Sequence, residues 1–155
     1  GDGVGKNTGT PFEKVMKAPR DTAPFQNITS RLGRDWKLTP VSCPLGARYV
    51  SGRGYGGAMG PSQFIPSTWE LFKERIGQLV GVAGDKADPW NPEQAIMATA
   101  LYLSDLGASS GRYTAEIRAA CKYYGTGGAS CSYGRQVMAK VSDIQLNMID
   151  PLQNN

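Results

Sequence analysis

The chain has 155 residues, 40% of them hydrophobic, with 17 Lys and Arg against 13 Asp and Glu for a net charge of +4. This is the make-up of a globular protein one domain long, covering 1–155, and no apolar run reaches the roughly 18 residues that a bilayer-spanning helix needs. Three cysteines and no histidine exclude a Ser-His or Cys-His nucleophile within the chain, and without Cys-x-x-Cys spacing they argue against zinc.

The basic residues are scattered rather than striped and no nucleic-acid-binding motif occurs, so nucleic acid is not expected as a partner. The first residues, Gly1 to Thr10, are turn-rich and do not start with Met. They read as the opening of an excerpt from a longer protein whose targeting segment lies upstream. Gly5-Lys6-Asn7 imitates the end of a phosphate loop but lacks the Ser or Thr that would hold magnesium.

Thr10-Pro11-Phe12-Glu13 has the pattern of a capping box and predicts a short helix to about Lys17. Ala18-Pro19-Arg20 breaks it. Asp21 is expected to cap a second helix with Phe25, Ile28 and Leu32 on one face and Gly33 at its stop. Gly33 to Gly57 is irregular and carries Trp36, Tyr49 and Tyr55, aromatic residues suited either to sugar faces or to pinning a loop. Gly52 to Gly57 satisfies G-x-G-x-x-G literally, yet no strand precedes it, and Pro61 and Pro66 follow too closely for a pyrophosphate-binding helix.

Ser67-Thr68-Trp69-Glu70 is a second capping-box pattern, opening a helix that buries Trp69, Phe72 and Ile76 and ends near Gly77. Asn91 and Pro92 start the next helix, which runs to Leu106 before Gly107. Its Ala95, Ala98 and Ala100 suit a central core helix. Another spans about Tyr113 to Tyr123. The last begins near Ser132, with Tyr133, Val137, Val141, Ile144 and Met148 on one stripe before Pro151. No strand pattern is present, so the fold class is mainly α. Cys121 and Cys131 flank a glycine-rich turn and could close a disulfide worth about 2–3 kcal/mol. Cys43 is left either as a buried thiol or as the partner of an upstream cysteine.

Gly54 to Trp69 holds the densest information. Glycine and small residues fill its first half, allowing close backbone approach; Gln63, Phe64 and Pro66 follow. Gly57-Ala58-Met59-Gly60-Pro61-Ser62-Gln63-Phe64-Ile65-Pro66-Ser67-Thr68-Trp69 resembles the signature of peptidoglycan lytic transglycosylases, in particular the membrane-bound lytic transglycosylase B (Slt35-like) branch. Trp90 to Ile96 and the Tyr-rich stretch from Tyr123 to Val137 agree with it, so the resemblance covers about Tyr55 to Val141. It implies a lysozyme-like catalytic domain outside the cytoplasm, in the periplasm, cell envelope or secreted. Its partner would be peptidoglycan glycan strands, whose peptide carboxylates a cationic surface would attract. The reaction implied is cleavage of the MurNAc–GlcNAc bond with a 1,6-anhydro product.

The resemblance further implies a single glutamate that acts as acid and then as base, placed several dozen residues before Gly57 and so close to or before Gly1. Glu13, Glu70, Glu74, Glu93 and Glu116 stand at helix starts or on polar faces. The acid/base is therefore expected upstream, and this chain alone is expected to be inactive. The substrate-shaping residues that carry over are Tyr55, Gly57, Ala58, Met59, Gly60, Gln63 and Phe64, with Tyr123, Tyr124 and Tyr133 near the reacting centre. Gln63 could bond sugar hydroxyls or satisfy buried backbone. Either Tyr123 or Tyr124 takes the role of the family's tyrosine before asparagine, and Gly54 replaces its serine. Some members hold calcium before the Trp-x-Pro segment; here Val80, Val82, Gly84 and Gln94 occupy ligand positions, so no metal and no cofactor is expected. A muramidase and a non-catalytic peptidoglycan-binding module are the alternative readings.

Overall fold

The computed structural model describes residues 15–42, 57–125 and 131–153. Among these the chain is mainly helical and has no strand, as its apolar periodicity predicts. The elements are α1 (Thr22–Arg31), α2 (Pro66–Val80), α3 (Pro92–Asp105), α4 (Tyr113–Tyr123) and α5 (Ser132–Ile144), then a π-helical turn (Gln145–Ile149) and α6 (Asp150–Gln153). Two compact units divide the chain, 1–99 and 100–155, with the boundary inside α3. No helix is long and apolar enough to cross a membrane among the described residues. The helix expected from Thr10 falls almost wholly outside them, as do Cys43, Tyr49 and Tyr55.

In the first unit α2 provides the floor. Trp69, Phe72 and Ile76 are buried at 1%, 6% and 0% exposure, the spacing of one helical face. Phe25 and Ile28 of α1 are buried with them, while Thr29 takes the place expected for Leu32; its hydroxyl donates to the Phe25 carbonyl at 2.8 Å. Gly33 follows α1 in the left-handed conformation at φ 67° and closes it, as expected.

Two helix boundaries differ from the sequence reading. The capping box at Ser67 does not form, because Pro66 occupies the first helical turn and moves the N-cap back to Ile65. Ser67 instead donates its hydroxyl to Asp21 Oδ1 at 2.6 Å. Asp21 is 2% exposed and makes no cap bond to its own helix. Its carboxylate therefore serves the positive end of α2, where a negative charge is favoured. The α2 helix also runs through Gly77 to Val80, and left-handed Gly81 ends it. Gly77 is there for packing: a Cβ on it would lie 2.6 Å from the Val82 carbonyl oxygen.

In the second unit α4 packs on α5 around Ile117, Cys121 and Met138. Cys121 and Cys131 are joined as a disulfide, the pairing the sequence allows. Gly134 permits the approach, since a Cβ there would stand 2.6 Å from the Ile117 carbonyl oxygen. Of the expected apolar stripe, Val141, Ile144 and Met148 are exposed, and the residues α5 buries are Gly134 and Met138. Ala95 and Ala98 of α3 are fully buried, whereas Ala100 is exposed.

Candidate functional site

The motif from Gly57 to Phe64 folds into a closed hook. Met59 N–H donates to the Phe64 carbonyl at 2.8 Å, and the Gln63 N–H donates to the Gly60 carbonyl at 3.2 Å. Ser42 clasps the hook's first arm. Its N–H reaches the Ala58 carbonyl at 2.9 Å, its carbonyl accepts from Gly57 N–H at 2.8 Å, and its hydroxyl accepts from Ala58 N–H at 3.0 Å.

Both glycines are demanded by contact. Gly57, at φ 84°, lies against Met16, whose side chain a Cβ would meet at 2.3 Å, and Gly60, at φ 61°, abuts the Pro89 backbone. Pro89 is held in turn by its neighbours. Trp90 Nε1–H donates to the Pro40 carbonyl at 3.2 Å, Phe25 meets the Trp90 ring edge-on, and the Arg34 guanidinium lies 4.9 Å from the ring centroid. Arg34 also pairs with Asp88 at 2.8 Å. Motif and Trp-x-Pro segment are thus one packed assembly.

Met59 (0% exposed) and Phe64 (3%) are core residues, Phe64 packing its ring against Trp69 and Phe72. Both are expected from the sequence to shape the substrate site; their side chains lie in the core beneath the hook, out of contact with solvent. Gly57, Ala58 and Gly60 are buried as well and act through the backbone. What the hook exposes is Pro61 and Gln63. Gln63 has φ 56°, a left-handed conformation that costs a side-chain-bearing residue about 1–2 kcal/mol. Its amide Nε2 donates to the Gly60 carbonyl at 2.7 Å, which fixes the orientation of the group. Of the two roles expected of Gln63, the structure therefore contains the backbone-satisfying bond, made by a residue whose side chain is otherwise exposed.

Several carboxylates of the first unit are held in ion pairs. Glu70 pairs with Arg31 and, at 3.3 Å, with Lys73; Asp85 pairs with Lys73 at 2.7 Å and Arg31 at 3.5 Å. The bond from Asp85 holds the Lys73 ammonium above its usual range, and the same bond holds Asp85 below the usual carboxylate range. This network ties α1, α2 and the turn at Gly84–Lys86 together. Glu74 lines Gly84, and Glu93 and Glu116 lie in first helical turns, as expected. Glu13 lies outside the described residues. At the calcium-like positions, Gln94 Oε1 accepts from Asp88 N–H at 2.7 Å and so latches the turn before α3.

In the second unit the three tyrosines separate. Tyr123 packs on Tyr102 with centroids 5.3 Å apart. Tyr124 stacks on Tyr133 at 4.5 Å and 13°, and 63% of Tyr124 is exposed. Of the two candidates it is Tyr124 that presents a flat face and a phenol to solvent. Ser42 and Asp21 were invisible as organisers in the sequence, since neither stands in a motif and their partners lie 16 and 46 residues away. No family model matches the chain, and no curated protein or solved structure matches it significantly.

Proposed function

We propose that this chain is the larger part of a lysozyme-like lytic transglycosylase domain that acts on the glycan strands of peptidoglycan outside the cytoplasm. The observation that carries the reading is the hook. Each unusual residue of the transglycosylase-like motif has a physical task in it: Gly57 and Gly60 for close approach, Met59 and Phe64 as anchors, Gln63 as the exposed amide. An exposed amide suits the hydroxyl and N-acetyl groups of an amino sugar, and an exposed ring such as Tyr124 suits the apolar face of a pyranose.

No described glutamate is placed as a lone proton donor, so the acid/base carboxyl would come from outside the described residues. The same fact favours a second reading, a peptidoglycan-binding module without catalysis. Digestion of purified peptidoglycan by the full-length protein, with mass analysis of the muropeptides, separates them. Ends bearing 1,6-anhydro-MurNAc support the transglycosylase. Reducing ends would make it a muramidase, and binding without cleavage would make it a binding module.

A further inference from the structure

Tyr124 and Tyr133 belong to two segments that meet at one covalent link. Tyr124 stands three residues after Cys121 and Tyr133 two residues after Cys131. Beneath them the helix pair has its own cohesion, from the buried Ile117–Cys121–Met138 cluster and the close contact at Gly134. The ring pair has little of this, since Tyr124 is mostly exposed and an exposed aromatic contact is weak. The two sulfurs also differ. Cys121 is fully buried, whereas Cys131 is half-buried at the N-cap of α5, where its Sγ accepts from Gly134 N–H at 3.3 Å. A helix N-terminus of this kind favours a thiolate over a thiol.

We propose that the Cys121–Cys131 disulfide is a reducible clamp on the Tyr124–Tyr133 stack: reduction frees the rings while α4 and α5 stay packed. A dithiol reductant attacks Cys131 Sγ, the accessible sulfur, through its thiolate. The S–S bond breaks, and the Cys121 sulfur leaves with the electron pair and takes a proton. The second thiolate of the reductant then attacks the reductant's own sulfur in the mixed disulfide. Cys131 leaves as a thiolate facing Gly134 N–H, and the reductant departs as a cyclic disulfide, two electrons having passed to the protein. For its functional consequence the clamp rests on the glycan reading above: a ligand that stacks on Tyr124 would bind the oxidised form.

The test is an NMR cross-peak between the Tyr124 and Tyr133 rings in tyrosine-labelled protein, recorded before and after dithiothreitol, with far-UV circular dichroism alongside. The cross-peak is expected in the oxidised protein, lost on reduction and restored on reoxidation, with helix content held. Cys131→Ser is expected to lack it without any reductant. A cross-peak that survives reduction overturns the clamp. So does loss of the helices on reduction, which would make the bond a staple of the fold. Affinity for murein glycan strands, measured on the same samples, is expected to fall about tenfold on reduction, the effect of about one lost ring contact. If neither form binds glycan the murein reading fails, and the cross-peak still decides the clamp.

Discussion

The Cα of Gly60 faces the Pro89 carbonyl so closely that a Cβ on it would stand 1.8 Å from the oxygen. That contact welds the hook at residues 57–64 to the turn before α3, and it requires glycine twice over, by space and by its φ of 61°. Gly60→Ala is expected to cost about 2–4 kcal/mol, the left-handed penalty plus a forced backbone shift. Gly81 has a similar φ, 73°, with nothing within 4 Å of its would-be Cβ. Gly81→Ala should therefore cost only about 1–2 kcal/mol. Urea denaturation of the two variants checks the difference, and equal losses would contradict the packing argument.

Ser67 and Asp21 form the second long-range tie. Removing the hydroxyl leaves a carboxylate that is 2% exposed short of a donor. Ser67→Ala is expected to destabilise by about 1–3 kcal/mol. Glu70→Gln, which the unformed capping box makes irrelevant to the start of α2, is expected to act through Arg31 and Lys73 instead. A double-mutant cycle between Ser67 and Asp21 should show coupling, and one between Ser67 and Glu70 should show none.

The Lys73–Asp85 pair gives a pH signature. Lys73 titrates above its ordinary 10.5 when folded, so its contribution is complete below that value and is lost as pH rises through the folded pKa. Asp85 titrates below its ordinary 3.8, so its contribution is present above that value and is lost as pH falls through the folded pKa. Asp85→Asn is therefore expected to lower the denaturation midpoint across neutral pH, and the gap to the parent should close at both acid and alkaline extremes. The effect is small because Asp85 is exposed, and added salt should shrink it further.

Gln63 separates stability from function. Gln63→Gly relieves a φ of 56° but loses the bond to the Gly60 carbonyl. The two effects are each about 1 kcal/mol, so stability is expected to stay within about 1 kcal/mol of the parent. Affinity for glycan strands should fall nonetheless. A Gln63→Gly protein with undiminished affinity would remove the amide from the site.

Much of the helical frame was legible in the residues themselves. Tyr113–Tyr123 could be bounded in advance, and Asn91 caps α3 by accepting from Gln94 N–H at 3.2 Å. Such signals are local. What could not be read depended on partners distant in the chain. Asp21 looks like the cap of the helix it precedes, yet its carboxylate is claimed by Ser67, 46 residues on. Gly77 looks like a stop signal, yet it is a packing glycine under Val82 and Gly84. The stripe at Val141, Ile144 and Met148 shows an apolar face, but periodicity cannot say whether anything covers it, and here it is exposed. In the hook, composition announced close approach without telling which residues point inward. Met59 and Phe64 turned out to be its buried anchors, and Gln63 the residue it displays.

Titration of the labelled protein with soluble, uncrosslinked peptidoglycan strands, read at the side-chain amide of Gln63 by NMR, tests the central claim most directly. A saturable shift of that resonance, absent with a neutral α-glucan of equal length, is the expected result. An amide that does not move while the strands are in excess would contradict the assignment of this hook to murein.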